Sequence, residues 1–253
     1  VYADRAQALQ LDRTLLPGDT AETALVFSCV PFRKALPQPD VFAEWAARQQ
    51  FAARICDGTL RLRCDDPALV QFFRLAKLRA AESIFTTAAG PLHSPGGGPY
   101  YAAVWANDQV EYAAPFFPFL GYGTANTASL CACDLFSRFM SPDGLPIPSS
   151  VIDEGRDIWQ GAGDRGDAAM FLYGASRLLL ALGDRAAAEE RFWMLAWAAD
   201  FCLSRKTADG VIASDSDELE ERLPSGDANL CTSCLTYGGL LSAADLATDL
   251  GHA

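Results

Sequence analysis

The feature that most constrains the fold is a pair of long apolar helices predicted back to back, over about 164–182 and 185–205. Gly183 is suited to end the first helix and Asp184 to cap the second, so the junction predicts a tight helical hairpin. Apolar residues occupy most faces of both helices, and Leu178–Leu182 is a continuous apolar run. A helix that is apolar nearly all round is buried on two sides. We therefore expect the hairpin to lie inside a larger, mainly α-helical domain.

The chain around this hairpin alternates further helices with long loops. The additional helices of this domain are predicted over Asp66–Thr87, Gln109–Phe119, Thr124–Met140 and Ala228–Leu250. The long loops are predicted over Ala89–Tyr101, Ser141–Gly163 and Thr207–Asp227. Loops of this length in a compact domain are usually functional. If the helices close into a ring, the three loops gather at one rim, where we expect a binding site.

The first 64 residues have a different pattern. Alternation over Ala8–Leu15 and the apolar run Thr23–Cys29 predict two strands, which we interpret as the last strands of a β-sandwich that begins before Val1. A linker rich in proline follows, and Val41–Ile55 is predicted to be a helix. The expected domains are a sandwich remnant with linker (1–40), a linker helix with a short extended piece (41–64) and a helical domain (65–253). Both ends resemble cuts through a longer protein, so the expected partner is the remainder of the same polypeptide.

Composition narrows the classes of ligand. The formal net charge is -12 and no basic stripe is visible, which argues against nucleic acid as a partner. No apolar stretch approaches the roughly 20 residues needed to cross a bilayer, so no membrane partner is expected. Four of the eight cysteines, Cys131, Cys133, Cys231 and Cys234, could be read as zinc ligands. They lie in apolar, helix-like sequence, which favours small buried core residues, and no metal or cofactor is expected.

The first candidate motif is the segment Trp105–Tyr112, which follows a glycine-rich loop. Sugar sites combine an aromatic platform with carboxylates and amides that share hydrogen bonds with hydroxyl groups. Trp105, Asn107, Asp108 and Glu111 provide such a set. The alternative is a solvated helix N-terminus at which Asp108 serves only as a cap.

A second candidate motif is the glycine-rich loop Gly155–Asp167. Trp159 is a candidate for sugar binding, and Asp164, Arg165 and Asp167 cluster where the next helix is predicted to begin. The two aspartates are candidate catalytic acids and Arg165 a candidate ligand for substrate. The alternative is helix capping combined with an Asp–Arg pair.

The third candidate motif places five carboxylates in the seven residues 215–221. A carboxylic acid held near other carboxylates has a raised pKa, which suits a general acid at neutral pH. Asp217, Glu218 and Glu221 are the candidates, with Arg222 as a local counter-charge. The alternative is a solvated charged face. Calcium binding is a weaker hypothesis, because the spacing and central glycine of an EF-hand are missing.

Taken in order, these features resemble the six-hairpin glycosidases, which include glucoamylases, α-L-rhamnosidases, trehalases and the maltose and kojibiose phosphorylases. The resemblance begins with the strand-and-turn segment containing Leu15–Thr20, which precedes a linker and a first helix at Asp66. Tyr100–Asp108 resembles the Trp-x-x-Asp segment that follows the first helix in that superfamily. The junctions 159–169 and 213–230 resemble its acidic loop-to-helix connections.

This resemblance implies an (α/α)6 toroid, of which the chain would supply about half, and a glycoside hydrolase that acts on an oligo- or polysaccharide. It implies inversion by two carboxyl groups about 6.5–9.5 Å apart. In relatives, the aspartate at the position of Asp108 holds sugar hydroxyls. Gln160 stands where glucoamylases place an acid after a tryptophan, so an acid role would move to Asp164 or Asp167. His93, in the first long loop, is expected to line the pocket.

The resemblance leaves the second carboxylate and the reaction type open. If the general base lies beyond Ala253, the chain alone is expected to be inactive and poorly stable. A phosphorylase of the same fold would use phosphate in place of water. A non-catalytic, carbohydrate-binding helical protein is the alternative outside enzymes.

Overall fold

The computed structural model describes residues 12–27, 35, 37–94, 103–152, 158–159, 161–220 and 222–252. The chain divides into two compact units, Val1–Phe51 and Ala52–Ala253. The described residues are mainly α-helical, as the sequence predicts. They also contain small antiparallel sheets that the sequence did not predict.

The first unit shows a turn but no strand among its described residues. Asp19 closes the turn, because its carboxylate accepts a hydrogen bond from the Leu16 N–H at 2.9 Å. Residues 12–15 and 23–27 are exposed coil, so the predicted strands are wrong for the described parts of 8–15 and 23–29. Residues 8–11 and 28–29 lie outside the described part, and the β-sandwich stays a prediction. Helix α1 (Val41–Asp57) confirms the predicted linker helix.

Helix α2 (Pro67–Glu82) begins where the sequence predicts. The Asp66 carboxylate accepts hydrogen bonds from the backbone N–H groups of Ala68 and Leu69, and Pro67 occupies the first helical position. Both are standard ways to satisfy a helix N-terminus.

The predicted continuation of α2 to Thr87 is wrong. The helix ends at Glu82, and β1 (Ile84–Thr87) pairs antiparallel with β2 (Gly90–His93), with Ile84 opposite His93. The Thr87 hydroxyl donates to the Gly90 carbonyl at 2.8 Å, and Gly90 adopts a φ of 111°, which favours glycine. The first part of the predicted loop Ala89–Tyr101 is therefore a strand.

A second small sheet leads into an irregular helical segment. Strands β3 (Ala103–Trp105), β4 (Ser150–Ile152) and β5 (Ile158–Trp159) pair in that order, all antiparallel. The chain continues from β3 into a π-helix (Ala106–Ala113), α3 (Ala114–Phe116) and a 3₁₀ turn (Phe117–Leu120). The helix predicted over Gln109–Phe119 is thus present, but it starts earlier and is mostly not α-helical. π-Helical turns occur frequently at functional sites.

The remaining helices form the core of the second unit. They are α4 (Gly123–Ser137), α5 (Asp167–Leu182), α6 (Arg185–Ser204) and α7 (Leu230–Leu250). The predicted α5–α6 hairpin is confirmed: Gly183 has a φ of 62°, and the Asp184 carboxylate accepts from the Ala187 N–H at 3.1 Å.

Helix α5 is the most buried helix of this unit, and two glycines allow neighbouring segments to approach closely. A Cβ on Gly174 would lie 1.8 Å from the Val110 carbonyl oxygen in the π-helix. A Cβ on Gly239 of α7 would lie 2.8 Å from the Leu172 side chain of α5. Helix α5 is thus packed on two sides, as its apolar composition predicts, and the π-helix is held directly against it.

The cysteines are only partly in the core. Cys133 is buried, Cys131 and Cys231 are half-buried, and Cys234 is exposed, so the expectation of buried core residues is wrong for Cys234. Within the described ranges, no group of metal-ligating side chains is arranged to hold a metal ion. None of the helices described is long and apolar enough to cross a membrane.

Candidate functional site

The three sequence motifs meet at Arg165. Its side chain is fully buried, with Nη2 2.8 Å from Asp167 Oδ1 and Nη1 3.2 Å from Glu220 Oε1. Its guanidinium carbon lies 5.4 Å from the centroid of the Trp105 ring. Arg165 therefore connects the π-helix entry, the start of α5 and the acidic loop.

Asp167 is a structural partner of this arginine. Its side chain is fully buried and accepts hydrogen bonds from the Ser149 hydroxyl at 2.8 Å and from the Arg165 guanidinium and backbone. Burial raises the pKa of Asp167, and the charge of Arg165 opposes that shift. Its oxygens are occupied by these donors, which favours an anchoring role.

Asp164 joins the start of α5 to the acidic loop. Its carboxylate accepts from the Gly166 N–H at 2.9 Å, and its backbone carbonyl accepts from the N–H groups of Asp215 and Ser216. Burial raises the pKa of Asp164 to about 6, while the hydrogen bond from Gly166 opposes the shift. Gly166 is the residue before α5, and no side chain caps this helix, so the capping alternative is wrong for Asp164. Asp164 instead links the approach to α5 with the acidic loop.

Glu111 and Asp108 project from the π-helix into the same charged environment. Burial, reinforced by the negative charge of Glu218, raises the pKa of Glu111 to about 8, although Arg165 opposes the shift. Burial also raises the pKa of Asp108, with Arg165 again opposing. The Oε2 atom of Glu111 is buried and has no hydrogen-bond partner among the described residues. Glu111 is therefore a mostly neutral carboxylic acid at pH 7 with one oxygen unused in the described structure.

The amide side chains on this π-helix differ in their surroundings. Asn107 Oδ1 is buried and has no partner within the described part of the chain. Gln109 Oε1 lies 2.7 Å from His93 Nδ1. His93 is itself buried against Phe117, with ring centroids 5.0 Å apart, and burial lowers the pKa of His93 to about 4. His93 is thus a neutral packing residue behind the π-helix.

Glu218 is held at both carboxylate oxygens. The Tyr112 hydroxyl donates to Oε2, and the Cys231 thiol donates to Oε1 at 3.2 Å. Burial and the hydrogen bond to Glu218 raise the pKa of Tyr112 well above its usual range. These contacts tie the acidic loop to the π-helix on one side and to the first turn of α7 on the other.

The other acidic-loop candidates have local partners. Asp217 Oδ1 accepts from the Leu219 N–H at 2.8 Å within a turn, and Arg222 is exposed with Nη2 3.0 Å from Glu220 Oε2. Glu221 and the side chain of Trp159 lie outside the described part. Residues Glu218 and Glu220 face the protein, so the solvated-face interpretation does not describe the whole run.

Two residues of this cluster were not candidates from sequence. Glu220 bridges Arg165 and Arg222 and has a φ of 56°, a left-handed conformation that is rare for glutamate. Tyr112 is the last residue of the candidate segment Trp105–Tyr112, but nothing in the sequence distinguishes it from a tyrosine of the core. Only the long-range contact with Glu218 reveals its place.

An open pocket of about 490 Å³ lies beside this cluster. The pocket is lined by Glu111, Tyr112, Pro115, Tyr173, Arg177, Cys234 and Leu235. Two tyrosine rings, a carboxylic acid and a guanidinium provide both apolar faces and hydrogen-bonding groups, as small-molecule sites require.

Comparisons with protein-family models, curated proteins and solved structures found no match for this chain.

Proposed function

We propose that this protein is a glycoside hydrolase and that its helical unit forms part of an (α/α)6 toroid. The observation that carries the proposal is the position of Glu111, a buried acid with a pKa of about 8 that lines an open pocket. Hydrolysis of a glycosidic bond requires a carboxylic acid that is still protonated at the working pH, so that it can protonate the leaving oxygen.

In this proposal Glu111 is the proton donor, in place of the candidates from the acidic loop. Glu111 lines the pocket, and its Oε2 forms no hydrogen bond with any described residue. Tyr112 and Tyr173, whose side chains line the pocket, offer aromatic surface to a pyranose ring. Glu218, fixed by Tyr112 and Cys231, contributes the negative charge that helps to keep Glu111 protonated.

The toroid and the second carboxylate complete the proposal. The packing of α5 between the π-helix, α6 and α7 is what an inner helix of such a ring requires. An inverting mechanism places a base about 6.5–9.5 Å from the acid, across the bond to be cleaved.

The test is a panel of natural and aryl glycosides incubated with full-length protein, as wild type and as Glu111→Gln. We expect the variant to lose at least about 100-fold in kcat/KM on natural glycosides, the usual contribution of a general acid. The loss should be smaller on nitrophenyl glycosides, whose leaving group needs little protonation. Glu44→Gln, an exposed residue of α1, is the matched control and should retain full activity.

Three results would each contradict the proposal. Full activity of Glu111→Gln would remove Glu111 from the reaction. Sugar release that requires phosphate would identify a phosphorylase. Binding of sugar without turnover of any glycoside would identify a non-catalytic carbohydrate-binding protein.

A further inference from the structure

The pocket beside Glu111 contains a cation that has no carboxylate partner among the described residues. Arg177 lies on α5, one turn after Tyr173, and its guanidinium carbon is 4.1 Å from the centroid of the Tyr173 ring. Both side chains line the pocket, and Arg177 is exposed there. No carboxylate of the described residues forms an ion pair with it.

Arg177 differs from several other arginines of this acidic chain, because no carboxylate of the described residues pairs with it. The sequence has 32 acidic and 20 Lys or Arg residues, so carboxylates are abundant. Several other arginines, including Arg165, Arg191 and Arg222, form ion pairs with carboxylates at 2.7–3.2 Å. Arg177 instead rests one face on an aromatic ring inside the pocket, which leaves the N–H edges of its guanidinium available to a ligand.

We propose that the pocket binds an acidic sugar, a uronic acid residue, whose carboxylate pairs with Arg177. The inference rests on the proposed function, because it names the substrate class of the same site. A planar carboxylate can accept hydrogen bonds from two parallel N–H groups of a guanidinium. Stacking on Tyr173 fixes the orientation of the Arg177 guanidinium and therefore of these N–H groups. Tyr173 and Tyr112 then flank the sugar ring.

The charge of the remaining pocket wall is compatible with an anion. Glu111 is the one acidic residue among the side chains that line the described pocket. Its pKa of about 8 leaves it mostly uncharged at pH 6.5. Glu111 can therefore donate a hydrogen bond to the sugar without repelling the carboxylate.

The test compares neutral and acidic sugars by isothermal titration calorimetry on the same full-length protein at pH 6.5. The ligands are the α and β anomers of methyl glucuronide and of methyl glucoside, with glucose 6-phosphate and glucose 6-sulfate as other anions. The proteins are wild type, Arg177→Gln, Arg177→Lys and Arg138→Gln. Arg138 is an exposed arginine at the end of α4 that does not line the pocket, so it controls for the loss of one positive charge.

We expect wild type to bind a methyl glucuronide about 5- to 10-fold more tightly than the matching glucoside, as a partly exposed charge-assisted pair allows. Arg177→Gln should abolish that preference and leave glucoside binding unchanged. Arg177→Lys keeps the charge and the packing but loses the two parallel N–H groups, so it should retain part of the preference for the glucuronide. Arg138→Gln should retain all of that preference.

Equal binding of glucuronide and glucoside by wild type, or an unchanged preference in Arg177→Gln, would overturn the inference. Tighter binding of the phosphate or sulfate sugar would overturn the assignment to a uronic acid. These binding results do not depend on whether the protein hydrolyses any glycoside. Full-length protein that hydrolyses only neutral glycosides keeps the proposed function, whereas glucuronide binding through Arg177 without any turnover keeps only the acidic-sugar site.

Discussion

The Tyr112 hydroxyl donates a hydrogen bond to Glu218 across a separation of 106 residues in the chain. This contact joins the π-helix to the acidic loop and brings the first and third sequence motifs into one site. Because Cys231 donates to the other oxygen of Glu218, the carboxylate is fixed at both ends.

The first prediction concerns this contact. Tyr112→Phe removes the donor to Glu218 and should lower the free energy of unfolding by about 1 kcal/mol, the net contribution of a typical hydrogen bond. It should also weaken sugar binding, because Glu218 loses its fixed orientation. Urea unfolding and calorimetric titration measure the two effects. Tyr237→Phe, an exposed tyrosine of α7, is the control and should change neither quantity.

The second prediction concerns the buried ion pair at the centre of the site. Arg165→Met leaves the fully buried Asp167 without its counter-charge and should lower the free energy of unfolding by about 3–5 kcal/mol. Arg222→Met removes only an exposed partner of Glu220 and should cost at most about 1 kcal/mol. Equal losses in urea unfolding would show that Arg165 does not hold the three segments together.

The third prediction follows from the raised pKa of Glu111. The folded protein keeps a proton on Glu111 up to a pH of about 8, whereas the unfolded chain releases it near the ordinary pKa of 4.5. The free energy of unfolding should therefore fall as the pH rises from 4.5 to 8, because the folded state binds more protons than the unfolded state.

Comparison with Glu111→Gln isolates this effect, because the raised pKa values of Asp108, Asp164 and Asp167 contribute to the pH dependence of both proteins. Between pH 6.5 and 8, wild type should lose on the order of 1–2 kcal/mol relative to Glu111→Gln, which has no proton to release. Urea unfolding of both proteins at the two pH values measures the difference. Parallel pH dependence would mean that Glu111 ionises normally in the folded protein.

The fourth prediction tests how the π-helix is positioned. Gly174→Ala would place a methyl group 1.8 Å from the Val110 carbonyl, so α5 and the π-helix must separate. We expect a loss of about 3 kcal/mol in the free energy of unfolding and weaker sugar binding. Gly123→Ala, at a glycine with open space around its Cβ position, should be neutral or slightly stabilising. A neutral Gly174→Ala would show that the close approach is not required.

Sequence patterns predicted the parts of this fold that depend on neighbours in the chain. Asp66 with Pro67 starts α2, and Gly183 with Asp184 makes the α5–α6 hairpin, because a helix cap needs only the next few residues. The predicted end of α2 was wrong because Ile84 and Phe85 continue the spacing of apolar residues that is typical of a helix. Their pairing with Gly90–His93 depends on a turn at Gly90 with positive φ.

The site was predictable in its segments but not in its contacts. Trp105, Asp108 and Glu111 mark the first candidate segment by composition, and the structure places them near Arg165 and Glu218. Which acid is buried, and which is exposed, depends on packing between distant segments. Glu220 and Tyr112 were missed for that reason.

The most direct test of the account is the pH dependence of kcat/KM for a natural glycoside, measured on full-length wild type and Glu111→Gln between pH 5 and 9.5. We expect wild-type kcat/KM to fall as the pH rises through about 8, where Glu111 loses its proton. The residual activity of the variant should lack this step. A wild-type profile that stays level up to pH 9.5, or the same alkaline step in the variant, would contradict the assignment of Glu111 as the proton donor.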